Sequence, residues 1–141
     1  MENRTNKQVE GIIFKIDPEG NILFLLMKRV LQKGGFWQPL TGGVRVGENL
    51  EQALRREVEE ETSIATVDRI IDLEYGFNFT DHGQSYDEFI FGVQVPNDAQ
   101  VSLSSEHEEY RWSTREEAIS LLKWDGNIEG LKRLCQKINL A

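Results

Sequence analysis

The segment Gly42-Gly43-Val44-Arg45-Val46-Gly47-Glu48, running on through Asn49 to Ile64, constrains the fold most. It must supply a glycine-rich loop, a helix and a buried face within one short stretch. Asn49 is a good helix N-cap, and Gln52 three residues later can reach back to complete a box-like cap. Leu50, Ala53, Leu54 and Val58 recur at helical spacing, which predicts one side turned to a core. At roughly 100° per residue, Glu57 and Glu61 continue that apolar side, with Glu60 at its edge. Glu51, Gln52, Arg55 and Glu59 point to water.

The expected charge pairs sharpen this division. Arg55 can meet Glu59 and Arg56 can meet Glu60, each at i,i+4. Glu57 and Glu61 are also four apart, with no cation between them. Two carboxylates about 6 Å apart at an effective dielectric of about 20 repel by roughly 3 kcal/mol. A solvated acidic helix accounts for Glu51 and Glu59, but it leaves Glu57 and Glu61 on the wrong face. A divalent hard cation, which gathers oxygen ligands, relieves the repulsion. Glu57 and Glu61 therefore favour a metal.

This stretch resembles the box of the Nudix hydrolases, G-x5-E-x7-R-E-U-x-E-E-x-G-U with U a bulky aliphatic residue. Gly42, Glu48, Arg56, Glu57, Val58, Glu60, Glu61 and Ile64 stand at its spacing, and Ser63 replaces its last glycine. That position closes the helix, where glycine adopts a left-handed backbone more easily than serine. The resemblance implies an α/β/α sandwich around a mixed β-sheet, and Glu57, Glu60 and Glu61 as the expected carboxylate ligands of the metal. It also implies a backbone carbonyl of Thr41 or Gly42 as a further metal ligand, and Arg56 as the group that orients the glutamates. Glu48 sits at the loop-helix junction, as a structural residue or a water-mediated contact on the substrate and metal side.

Two flanking stretches narrow the resemblance. Phe36-Trp37-Gln38 with Thr41-Gly42 resembles the lead-in of bacterial dATP or dihydroneopterin triphosphate pyrophosphohydrolases. Glu106-His107-x-x-Tyr110-Arg111-Trp112 resembles a stretch of the same enzymes and of diadenosine tetraphosphate hydrolases. In those relatives its acid approaches the metal from outside the box, which makes Glu106 a fourth carboxylate, as ligand or base. Either Glu57 or Glu106 is then the general base. Trp37 can stack on a base or pack in the core. Arg29, at the end of a strand that borders the substrate in the family, is a phosphate contact or an ordinary strand-end charge.

Elsewhere the chain reads as scaffold. Gln8 to Ile16 and Asn21 to Arg29 are strand-like, joined by the turn Asp17-Pro18-Glu19-Gly20. The second run is apolar on both sides of its pleat and so belongs inside a sheet covered on both faces. Val30 to Gly35 reads as a flexible loop. Val67 to Phe79 and Tyr86 to Val95 are two more strands around the turn Asp81-His82-Gly83-Gln84, whose histidine is solvated. Ser113 with Glu116 forms a capping box for a short helix through Leu122. A last helix, capped by Asp125 or Asn127, turns Ile128, Leu131, Leu134, Cys135 and Ile138 inward, with Trp124 in the core.

The 141 residues suit one domain, residues 1–141. A net charge of −8 argues against a nucleic-acid groove, yet bound cations would still admit a small phosphorylated substrate. A single cysteine, a polar N-terminus without a signal-like apolar core, and no apolar run long enough to span a bilayer point to the cytoplasm. The expected activity is hydrolysis of a phosphoanhydride with Mg²⁺ or Mn²⁺. The partner is a small nucleotide or pterin triphosphate, with no nucleic-acid polymer and no membrane, and a homodimer is left open. A dinucleoside polyphosphate hydrolase and a non-catalytic nucleotide sensor are the alternatives.

Overall fold

β1 (Arg4–Ile16) is the axis of the sheet, because its side chains alternate between two separate cores. Val9 and Ile13 enter one, and Ile12 and Phe14 enter the other. The computed structural model describes residues 4–138. In it β1 runs parallel to β6 (Gln84–Gln94) from Lys7 to Phe14, and β6 pairs antiparallel with β5 (Arg69–Asp81). The opposite edge of β1 is shared. Its first half pairs with β4 (Leu40–Arg45) and its end with β2 (Ile22–Arg29), both antiparallel. β2 also carries β3 (Trp37–Gln38) on that edge and β7 (His107–Ser113) on the other. The sheet is mixed, as expected.

Helices cover both faces. Ala53, Leu54 and Val58 of α1 (Leu50–Thr62) bury against Val9, Leu25, Met27 and Val93. α2 (Arg115–Leu121) and α3 (Asp125–Lys137) close the other face through Ala118, Leu131, Leu134 and Cys135, over Phe14, Phe24 and Ile90. Burying each large side chain is worth about 1.5–3 kcal/mol, enough to dictate which way each helix turns its charges. The expected α/β/α sandwich is what forms. Among the described residues, no helix is long and apolar enough to cross a membrane.

Several local expectations shift. The Val30–Gly35 loop contains a 3-10 turn, Leu31–Lys33. β5 and β6 each begin two residues later or earlier than the apolar pattern suggested, and both run to a two-residue turn at His82-Gly83. Thr114 and Glu117, not Ser113 and Glu116, make the α2 capping box, because Ser113 is held in β7 opposite Phe24. Neither Asp125 nor Asn127 caps α3; Trp124 holds the N-cap position without a side-chain bond. Trp124 is 51% exposed and not core. It meets Phe36 edge-on at 5.9 Å, and Lys123 lies over both rings.

Asn127 is instead buried, and its amide donates to Glu10 Oε1 at 2.9 Å. Glu10 has no exposed surface, and Glu88 on the neighbouring strand is almost as buried. Desolvation pushes both carboxyls above their ordinary range, Glu10 furthest, with Glu88 adding to the rise at Glu10. Glu10 Oε2 has no donor partner unless one of the two acids keeps its proton. A proton shared within the pair would supply that donor. The folded state binds that proton more tightly than the unfolded chain. Its stabilisation is complete below the ordinary carboxylate range and is lost as pH rises through the raised value. Glu10→Gln keeps a donor at every pH. At alkaline pH it should gain about 1–3 kcal/mol, the scale of an unmet buried polar group, and show a flatter stability-pH curve. Thermal melts across pH check this; identical pH slopes for variant and wild type would refute the shared proton.

Candidate functional site

The first turn of α1 is fixed by a capping box, with Asn49 Oδ1 accepting from Gln52 N–H at 2.8 Å and Gln52 Oε1 from Asn49 N–H at 2.9 Å. From there the helix carries Glu57 inward to 6% exposure, while Glu51 and Glu59 stay in water. Burial raises the Glu57 carboxyl above its ordinary value, the Arg56 guanidinium opposes the rise, and the charges of Glu60 and Glu61 add to it. The side chain lies directly over Gly42 of β4. A Cβ built there would overlap Cγ, Cδ and Oε1 of Glu57, so glycine at this place makes room for a carboxylate.

Arg56 is the hub of the loop-helix unit. Nε and Nη2 grip Glu48 at 2.6 and 3.0 Å, and Nη2 also donates to the Gly43 carbonyl at 2.8 Å. Nη1 reaches Glu57 Oε2 at 2.8 Å and Glu60 Oε1 at 3.1 Å. Two-pronged guanidinium-carboxylate pairing of this kind fixes direction as well as distance. It holds Glu48 down to about 2, with the Arg45 N–H helping at 2.8 Å. Both oxygens of Glu48 accept from protein donors, which ties the loop to the helix. Two pairings differ from expectation. Glu57 does have a cation, Arg56, and Arg55 pairs with Glu51 at 3.2 Å and not with Glu59.

Glu61 turns away from Arg56 to the opposite wall. Its Oε1 accepts from Ser104 Oγ at 2.7 Å and lies 3.4 Å from His107 Nδ1. The His107 contact and the Ser104 bond pull this carboxyl below its ordinary value. Beyond the imidazole, Gln38 Nε2 lies 3.0 Å from His107 Nε2. Ser63, which replaces the box glycine, closes the helix at φ 65, a conformation costing about 1–2 kcal/mol in a residue with a Cβ. Its N–H donates to Glu59 O and its hydroxyl to Ser102 O, which offset that strain.

Glu106 stands beside this group without joining the box acids. It pairs with Lys33 at 3.0 Å and Arg29 at 3.9 Å, so a short positive edge faces the acids. Thr41 and Gly42 lie in β4 opposite Glu10 and Val9. Trp37 is half-buried against the α2-α3 core, its backbone bridged to Leu122. A cavity of about 430 Å³ opens beside Gly43, with Lys7, Gln8 and Tyr86 on its wall.

Among the described residues, no three His, Cys, Asp or Glu side chains converge on one metal-sized point. Glu57 and Glu60 are drawn to Arg56, and Glu61 to Ser104 and His107. The donor chemistry nonetheless fits a hard divalent cation. Three carboxylates from one helical turn lie close enough for Glu60 and Glu61 to raise Glu57; Arg56 bonds Glu57 and Glu60, and Arg45 adds a looser contact to Glu60 at 3.6 Å. Sequence reasoning passed over Ser104, Lys33 and the part played by Gln38 and His107. The last two were visible only as letters of the flanking motifs.

The family model for the NUDIX domain matches residues 7–134, nearly the whole loop-helix-sheet unit just described. The chain belongs to the Nudix family. Hydrolases of this family act on pyrophosphate bonds. The dihydroneopterin triphosphate diphosphatase of Escherichia coli is 26% identical over 150 residues, covering 94% of this Nudix chain and 96% of that protein. A Nudix hydrolase from Listeria monocytogenes is similar in structure, with a TM-score of 0.79 and 29% identity over 94% of this chain and 95% of that one. A C. elegans Ap4A hydrolase complex shares the fold, with a TM-score of 0.81 at 24% identity over 94% of this chain and 97% of that one. An octanoyltransferase of Myxococcus xanthus is 38% identical over 120 residues, but the Nudix chain spans only 32% of its length.

Proposed function

We propose that this Nudix chain hydrolyses the phosphoanhydride of a nucleoside triphosphate or dihydroneopterin triphosphate, releasing a monophosphate and pyrophosphate. The observation that carries this reading over a dinucleoside polyphosphate is the Gln38-His107 contact at 3.0 Å. It joins two motif stretches far apart in sequence, and only the triphosphate pyrophosphohydrolases are resembled by both. The full-length similarity to the E. coli diphosphatase supports the same choice.

In this reading Glu60, Glu61 and a carbonyl at Thr41 or Gly42 would hold Mg²⁺ or Mn²⁺, with Glu57 beside them. When bound, the cation neutralises phosphate oxygens and lowers the pKa of a coordinated water. Water oxygen attacks phosphorus, and the anhydride P–O bond breaks with its electron pair leaving on pyrophosphate. The proton released by the water passes to a carboxylate. Glu57 suits that task better than Glu106, since burial raises it toward a useful basicity, whereas Glu106 is engaged by Lys33 and Arg29. Arg56 holds Glu57 and Glu60 in register. Arg29 and Lys33 are the phosphate contacts, and the cavity beside Gly43 takes the base or pterin. Such a substrate pool and the single buried cysteine suit the cytosol.

The test is incubation with Mg²⁺ or Mn²⁺ and a panel of dNTPs, dihydroneopterin triphosphate, diadenosine tetraphosphate, ADP-ribose and NADH, with product identification. Pyrophosphate from a triphosphate is the expected result. ATP plus AMP from the dinucleotide would replace the substrate reading, and binding without turnover would replace the enzyme by a sensor.

A further inference from the structure

His107 is 3% exposed at its side chain, yet its ring nitrogens face two different polar groups. Nε2 meets the Gln38 amide nitrogen at 3.0 Å, and Nδ1 faces Glu61 Oε1 at 3.4 Å. An amide nitrogen can only donate, so Nε2 must accept and be unprotonated. The proton of the neutral ring then lies on Nδ1, the atom that faces the carboxylate. Nδ1 is buried and forms no full hydrogen bond; the polar atom it faces is Glu61 Oε1 at 3.4 Å, and a proton on Nδ1 makes that contact attractive where a bare nitrogen would set acceptor against acceptor. Gln38, held in β3 opposite Met27 of β2, thus dictates the tautomer of a residue at the start of β7.

The consequence falls on α1. Ser104 Oγ and His107 Nδ1 both address Glu61 Oε1, and Glu61 Oε2 takes no hydrogen bond among the described residues. We propose that His107 is a positioning residue: Gln38 locks it as the Nδ1–H imidazole, and it anchors one oxygen of Glu61 so that the other stays free for cation binding. The inference rests on the pyrophosphohydrolase reading for its use, but its geometry can be tested without turnover. Groups that orient the ligands of a metal typically change affinity or activity by about 10- to 100-fold when removed.

Two measurements test it. The chain has two histidines, and His82 is exposed in a turn, so ring ¹H–¹⁵N correlations of His107 can be assigned against one reference. The metal-free wild type should show His107 with Nδ1 protonated and Nε2 bare, and Gln38→Leu should abolish that fixed pattern. A protonated Nε2 on a neutral His107 in the wild type would overturn the proposal. Second, His107→Phe keeps the packing but loses the donor, whereas His107→Asn restores an N–H near the position of Nδ1. The phenylalanine variant should bind Mn²⁺ about 10- to 100-fold more weakly in calorimetry and lose kcat with KM little changed; the asparagine variant should recover most of both. Equal Mn²⁺ affinity in wild type and His107→Phe, or equal losses in both variants, would reduce His107 to a packing role. If the wild type turned over no pyrophosphate compound, the functional reading would fall, while the tautomer and Mn²⁺ results would still decide the role of His107.

Discussion

Glu57→Gln should lower turnover by about 10²- to 10⁴-fold, the usual worth of a positioned general base, while leaving the protein as stable as before or more so. The two halves of this expectation have one cause. Glu57 is nearly buried, and desolvation outweighs the help it receives from Arg56. Its negative form is therefore costly to the fold, and under the proposed mechanism that same charge serves the reaction, a trade common at active sites. Replacing the carboxylate with an isosteric amide removes the charge cost. Arg56 keeps its two-pronged grip on Glu48 and its contact with Glu60, so the loop-helix unit stays closed. The sign for pH follows. A carboxyl raised in the folded state contributes most below its ordinary range and loses that contribution as pH rises through its folded value, so the variant should gain relative to wild type toward alkaline pH. Steady-state kinetics with thermal melts at several pH values check both halves. Near wild-type turnover would remove Glu57 from the chemistry, and a large loss of melting temperature would show that its charge is structural.

Gly42→Ala should cost the second largest amount, through the same carboxylate. The added methyl needs the space that Glu57 Cγ, Cδ and Oε1 occupy. β4 cannot retreat, because Gly42 is registered against Val9 of β1 and Gly43 O is held by Arg56. Glu57 must swing aside, and a displacement of about 1 Å at a reacting group can cost about 10²-fold in rate. Overpacking should also lower stability by about 1–3 kcal/mol. A double-mutant cycle isolates the contact. In a Glu57→Ala background the stability cost of Gly42→Ala should almost vanish, since the methyl then has room. A cost that survives unchanged there would place the strain in the β4 backbone and not in this pair.

Much of α1 could be read locally. The Asn49-Gln52 box, the Ala53-Leu54-Val58 stripe and the inward turn of Glu57 all follow from helical periodicity, which couples residues only three or four apart. The two-sided covering of β2 followed from its apolar run for the same reason. Errors began where two local choices were close in energy. Arg55 could reach Glu51 or Glu59, and Ser113 or Thr114 could open α2; strand pairing of Ser113 with Phe24 decided the latter. Trp124 and Asn127 depart further from what their sequence positions predict. Asn127 reads as a cap in sequence, but α3 crosses the sheet at Glu10, where a buried acid needs its amide.

The Gly42 to Ile64 stretch by itself determined the helix, its caps, the face that carries the acids and the family to which the chain belongs. Each of these depends on spacing along a single turn or loop. Tertiary structure decided which donor each acid meets: Glu57 and Glu60 on Arg56, Glu61 on Ser104 and His107, and Glu106 on Lys33 and Arg29. It also joined Gln38 to His107 across β3 and β7, and Glu10 to Asn127 across β1 and α3. Those contacts depend on strand register and on how helices lie across a sheet. They are set by the burial of two whole cores, which no short run of residues can specify.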